Sequence, residues 1–169
     1  MLHPFDLRSF QSLYETHARD ALALALLLTR DRAVAEDVVQ EAFIKVARRF
    51  SDLRNPSSFG PYLRRTVVNL IRSRARRLNL ERKSLVRIAA DSAPTTSAAT
   101  DLDEGELWDA LSELPFRQRA ALILRFCEDL SEREAAHILN TTEKAIRSLV
   151  GRGTEALRKQ LGGGDAWIL

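Results

Sequence analysis

The hydrophobic and polar positions of this chain fall into helical periods over most of its length. The clearest case is residues 31–50, DRAVAEDVVQEAFIKVARRF, where Val34, Val38, Val39, Ala42, Phe43, Val46 and Phe50 share one stripe and Asp31 is placed to cap the start. Asp37, Gln40, Glu41 and Ile44 make a second stripe at the same spacing, acidic and amide-bearing with one apolar member. An ordinary wetted helix surface has the same look, and periodicity alone does not separate the two. Upstream, Phe5, Phe10, Leu13, Tyr14 and His17 form a looser pattern that predicts a helix ending near His17. Ala21 to Leu28 is apolar all round, which predicts a helix buried on most sides in a small bundle.

A third helix is predicted after Pro56-Ser57-Ser58, a start signal, with Tyr62, Leu63, Val67, Leu70 and Ile71 on its apolar face. Gly60-Pro61 falls in its opening turn, where an interior proline would lose a hydrogen bond, so the spacing predicts a displaced start. The pattern then dissolves from residue 81 to 106, rich in Ala, Ser, Thr and Asp. So long a structureless stretch inside one compact domain is unusual, and it reads as a linker.

Helical periods return near Leu107. Leu114-Pro115 ends one helix and opens another, Phe116 to Glu128, whose Ala120, Leu124 and Cys127 share a face, so Cys127 is expected as a small core residue. Ser131 with Glu134 is a capping box in sequence. A short helix to Leu139 follows, Asn140 can take the left-handed conformation that ends it, and Thr141 or Thr142 can cap a last helix from Glu143 to about Leu161. In that helix Ile146, Leu149, Val150, Gly153 and Leu157 fall inward, and Lys144, Arg147, Ser148, Gly151 and Arg152 outward. Two helices across a tight turn, the second with a basic outer stripe, suit a major-groove reader, although a plain helical hairpin shares the pattern. The expected architecture is all-α: a helical bundle over residues 1–80, a linker over 81–106, a helix-turn-helix domain over 107–161 and a loose tail, 162–169.

Charge changes this picture in one place. The net charge is only +3, yet residues 53–80 hold seven arginines and no acid. Arg64, Arg65, Arg72, Arg74, Arg76 and Arg77 are assigned to the faces and end of the third helix that the apolar stripe leaves over. A helix C-terminus is served by one or two cations; four within six residues repel one another and point to an anionic partner, a phosphate backbone. The longest apolar run has eight residues against the roughly 20 that cross a bilayer, and no signal-peptide pattern precedes it, so a cytoplasmic protein without membrane insertion is expected. The single cysteine forms no internal disulfide or thiolate metal site, the three histidines are scattered, and no phosphate-cradling glycine loop occurs. No cofactor, metal or catalytic role is expected.

Three stretches in order, AEDVVQEAFIKVARRF, SSFGPYLRRTVVNLIRSRARR and LPFRQRAALILRFCEDLSEREAAHILNTTEKAIRSLVGRG, resemble the two domains of an extracytoplasmic-function (ECF, group IV) sigma factor of bacterial RNA polymerase. The resemblance implies that Asp37, Gln40, Glu41 and Ile44 dock on the clamp helices of the largest polymerase subunit, with the flap of the second-largest as a further contact. It implies that Phe59, Tyr62 and Leu63 set the preceding loop over the -10 promoter element, and that Arg54, Asn55, Arg65, Asn69, Arg72, Arg74, Arg76 and Arg77 meet DNA there. Thr142, Lys144, Arg147, Ser148 and Arg152 would read the -35 element, and the linker would thread toward the catalytic cleft and RNA exit channel. Anti-sigma factors are common in the family, so one is a candidate partner. Asn140 stands where the family has a turn glycine, Lys144-Ala145 where Gly-Thr is common, and Gly151 and Gly153 where His and Ala are typical. A stand-alone helix-turn-helix regulator would also explain the arginines, but neither the linker nor the Asp37, Gln40, Glu41 stripe.

Overall fold

A computed structural model of the chain describes residues 7–50, 56–85 and 102–161. It consists of two compact units, Met1–Thr95 and Thr96–Leu169, and the described residues are helical without strands.

The first unit packs α1 (Leu7–Thr29), α2 (Arg32–Phe50) and α3 (Phe59–Leu85), the last entered through a 3-10 turn at Pro56–Ser58. His17 lies in the middle of α1, not near its end as the pattern predicted. Nothing between His17 and Ala21 breaks a helix, since Ala18, Arg19 and Asp20 include neither Gly nor Pro. Ala21, Leu24, Ala25 and Leu28 are buried. Asp31 caps α2: its Oδ1 accepts the Val34 N–H at 3.0 Å. Val38, Val39, Ala42, Phe43 and Val46 are buried against Phe59, Leu63, Val67, Val68, Leu70 and Ile71 of α3 and the buried face of α1. Phe59 sits at the junction, with ring centroids 6.0 Å from Phe43 and 5.4 Å from His17. Pro61 is the third residue of α3, inside the first turn, where its missing N–H has no intrahelical acceptor to lose. Glu81, Arg82 and Lys83 are good helix formers, and α3 continues through them to Leu85. Residues 86–101, most of the expected linker, and the tail from residue 162 lie outside the described residues.

The second unit contains α4 (Leu102–Glu113), α5 (Phe116–Leu122) running into a π-helical turn at Ile123–Cys127, α6 (Glu132–Leu139) and α7 (Glu143–Gln160). Ala110, Leu111, Leu114, Leu122 and Leu157 form one core cluster, with Trp108 packed against it. The π turn corrects the expectation for Cys127. The Glu128 N–H donates to the Ile123 carbonyl at 3.0 Å, five residues back, so the helix rotates less per residue and the 3.6-residue register is lost. Ile123 and Leu124 stay inside while Cys127 is exposed. Asp129 then takes a left-handed φ of 49° and the chain turns into α6.

The turn between α6 and α7 forms from the residues the sequence offers. Ser131 and Glu134 close the capping box, with Glu134 N–H donating to Ser131 Oγ at 3.2 Å and Ser131 N–H to Glu134 Oε2 at 2.8 Å. Asn140 is left-handed at φ 49°, and the Thr141 N–H returns to the Ala136 carbonyl at 2.9 Å. Of the two threonines, Thr142 is the cap, accepting the Ala145 N–H at 3.2 Å.

The two glycines of α7 are not equivalent. A Cβ at Gly151 would meet nothing within 4 Å, whereas one at Gly153 would stand 2.8 Å from Cδ1 of the buried Leu122. Gly151→Ala is therefore expected to raise thermal stability by about 1 kcal/mol through helix propensity. Gly153→Ala sets the same gain against about 1–3 kcal/mol of overpacking and should fall below it. Equal gains in melts followed by circular dichroism would refute the close approach of α5 and α7.

Candidate functional site

The second stripe of α2 lies on the surface. Asp37 and Gln40 are exposed, Glu41 is half-buried, and Ile44 keeps 54% of its surface in water. This face is internally neutralised. One guanidinium nitrogen, Nη2 of Arg74, lies 2.6 Å from Asp37 Oδ2 and 3.0 Å from Glu41 Oε2, while Lys45 Nζ holds Glu41 Oε1 at 2.9 Å. The Glu41 carboxyl is held below its ordinary 4.5, first by the Lys45 hydrogen bond and then by Arg74, against the opposing effect of burial. Its ionised form thus stabilises the fold above the usual carboxylate range, and that contribution is lost only as pH falls below it. Burial disfavours the Arg74 charge, but hydrogen bonds to Asp37 and Glu41 outweigh it and raise the guanidinium pKa.

Arg74 is thus separated from the arginines it was grouped with. On a helix of 3.6 residues per turn, Arg65, Asn69, Arg72 and Arg76 follow one another at steps of four, three and four and form a single stripe. Arg74 lies three residues after Ile71 and four after Leu70, on the buried side of α3, which is why it meets α2. Along the stripe Arg65 and Arg72 are half-buried, Asn69 and Arg76 exposed; Arg77, also exposed, is rotated off it. Arg54 and Asn55 lie outside the described residues. The elements before and after them are tied together: Arg49 Nη1, near the end of α2, donates to the Tyr62 hydroxyl at 2.9 Å. Phe59 and Leu63 are buried and Tyr62 is half-buried.

In the second unit Thr142, Lys144, Arg147, Ser148, Gly151 and Arg152 are all exposed, and Ile146, Leu149, Gly153 and Leu157 are buried on the opposite side of α7. Arg147 does not hang loose. Its Nε donates to Glu132 Oε2, in the first turn of α6, at 2.6 Å. The sequence pattern assigned a site role to neither Lys45 nor Glu132. Lys45 was within reach, being four residues after Glu41 on one helix; Glu132 and Arg147 are fifteen apart and meet only because α6 and α7 cross.

Residues 13–81 match the model of Sigma-70 region 2, and residues 104–157 that of Sigma-70, region 4. Together these cover both described units in the expected order. The chain belongs to the ECF-type RNA polymerase sigma factors. It is 23% identical over 154 residues to the ECF RNA polymerase sigma factor SigM of Bacillus subtilis, covering 89% of this chain and 93% of that one. With the RNA polymerase sigma-H factor of Pseudomonas aeruginosa it shares 29% identity, covering 92% of this chain and 88% of the other. A probable RNA polymerase sigma factor, RfaY of Xanthomonas campestris, is 33% identical over 147 residues, 82% of this chain, which spans only 37% of that relative's length. Among solved structures, the sigma factor RpoE of Bartonella quintana, in complex with the anti-sigma factor NepR, aligns with a TM-score of 0.67 and 25% identity over 92% of this chain and 93% of its own. As an ECF sigma factor the chain acts in transcription initiation with RNA polymerase. Among the described residues no helix is long and apolar enough to cross a membrane.

Proposed function

We propose that this sigma factor docks on core RNA polymerase through the exposed face of α2 and carries two separate DNA surfaces, one on each unit. Asp37, Gln40 and Glu41 offer carboxylates and an amide to the clamp helices of the largest subunit, and Ile44 supplies an apolar contact beside them. Arg74 and Lys45 belong to this docking face. A lone exposed isoleucine is ordinary on any surface; next to fixed carboxylates on a helix whose other side is core, it completes a compact patch. The flap of the second-largest subunit takes the second unit.

On α3 the stripe of Arg65, Asn69, Arg72 and Arg76, with Arg77 beside it, neutralises phosphate around the -10 element and holds register without reading sequence. Arg54 and Asn55, which follow α2 in sequence, together with Asn69 hold unpaired bases of the opened strand by edge contacts. On α7 the outward Lys144, Arg147, Ser148 and Arg152, with the cap at Thr142, face the major groove of the -35 element. The residues of the linker join the two units through the polymerase. The protein works in the cytoplasm, catalyses no reaction of its own, and an anti-sigma factor is a further partner, as NepR is for the Bartonella protein.

The single observation that carries this reading is the helix-turn-helix of α6 and α7, whose outer positions are polar and exposed while every inward position but Val150 is buried. A pull-down with core enzyme followed by run-off transcription on a promoter library tests it; failure to bind core, or binding without a directed start, removes it. Arg147→Ala is expected to weaken use of the -35 element by roughly 1–3 kcal/mol, with a smaller effect on opening at -10. Equal losses at both, read by footprinting and permanganate reactivity, would refute the division between the units.

A further inference from the structure

Glu132 is an acid on the unit whose α7 is assigned to duplex DNA, and its position needs a reason. Two neighbours could supply one. As a first-turn residue it suits the positive end of the α6 dipole, but Glu134, in the same turn and committed to the capping box, already serves there. The other reason is Arg147, which binds Glu132 through Nε alone. A guanidinium has five N–H donors in a planar fork; fixing the Nε edge leaves both Nη groups for a second partner and removes much of the rotational freedom of a long side chain. Arg147 remains 64% exposed in this arrangement, so the rest of its fork is accessible.

We propose that Glu132 is a specificity-determining positioning residue: by holding Nε of Arg147 it presents the Nη edge for a bidentate contact to a base, and its own charge opposes indiscriminate contact with phosphate. This rests on α7 being the helix that reads duplex DNA. Both effects act in the same direction on discrimination. A restrained guanidinium loses less freedom on reaching the correct base edge, and a carboxylate at the rim costs affinity for any backbone that approaches without that base contact.

The test uses the full chain assembled with core RNA polymerase. A pool of duplexes randomised across the upstream promoter element is selected with the wild-type complex, and affinities are then measured for the best selected duplex and for a scrambled one over a range of salt. Glu132→Gln is expected to lower the ratio of selected to scrambled affinity about tenfold, with weaker binding of the selected duplex and tighter binding of the scrambled one. The salt dependence on the scrambled duplex should steepen by about one phosphate contact. In an Arg147→Lys background, where no fork can be oriented, Glu132→Gln should change the ratio less than twofold. Circular dichroism melts accompany each variant, since a role confined to the start of α6 would change stability and leave the ratio alone.

An unchanged ratio in Glu132→Gln overturns the proposal, as does an equal fall in the Arg147→Lys background, which would mean a general charge effect. If Arg147→Ala also leaves the ratio unchanged, the reading of α7 as the recognition helix fails with it. If Arg147→Ala collapses the ratio and Glu132→Gln does not, the recognition helix stands and only the role of Glu132 falls.

Discussion

Charge reversal at Glu41 is expected to abolish binding to core RNA polymerase while leaving the helices intact. In the wild-type chain both Glu41 oxygens are engaged, Oε1 by Lys45 and Oε2 by Arg74. An arginine there would face two cations already in place and turn a neutralised patch positive, repelling any partner group that sought the carboxylate. Losing a hydrogen-bonded charge at the centre of an interface costs about 2–5 kcal/mol, and reversal adds repulsion, so at least a hundredfold loss of affinity is expected. The fold should survive. Arginine and glutamate have similar helix propensities, Arg74 keeps Asp37, and the lost ion pairs, being partly in water, contribute no more than about 1 kcal/mol each. Pull-down and calorimetric titration with core enzyme, read beside far-ultraviolet circular dichroism, check both halves. Unchanged affinity would remove α2 as the docking face.

The legible parts of this molecule were those that one helix decides by itself. The apolar stripe of α2 from Val38 to Val46, the exposed one from Asp37 to Ile44, the capping box at Ser131 and Glu134, and the left-handed Asn140 are set by spacing along a single element, and each appears where the pattern put it, while the Phe50 side chain lies outside the described residues. Arg74 was also within reach, since its spacing from Leu70 and Ile71 puts it on the apolar side of α3; grouping the arginines by composition hid this. Cys127 was not within reach, because the extrapolation assumed 3.6 residues per turn and one π turn breaks that register. The bond between Glu132 and Arg147 depends on how α6 crosses α7, which no local period encodes. The stripe read as acidic is balanced by cations from α3 and from its own helix, so its charge was legible and its neutralisation only half so.

Removing the Phe59 ring should cost the first unit a large part of its stability and spare the second. Phe59 has no exposed surface and lies against His17 of α1 and Phe43 of α2, while Phe43 in turn contacts Tyr14 at 4.7 Å between centroids. One ring thus joins all three helices. A buried Phe→Ala change costs about 3–5 kcal/mol, and a unit of roughly 80 residues at about 0.05–0.15 kcal/mol per residue has only about 4–12 kcal/mol in all. Phe59→Ala should therefore lose most of the amide protection in α1, α2 and α3, whereas α6 and α7, with their own core around Leu122 and Leu157, keep theirs. Phe59→Leu retains more of the buried volume and should lose less. Hydrogen exchange resolved along the chain reads the outcome directly, and equal loss of protection in α7 would show that the units do not stand independently. Core binding should weaken in Phe59→Ala as well as in Glu41→Arg, but by destabilising the scaffold that presents Asp37 and Glu41, and fully protected α2 amides separate the second case from the first.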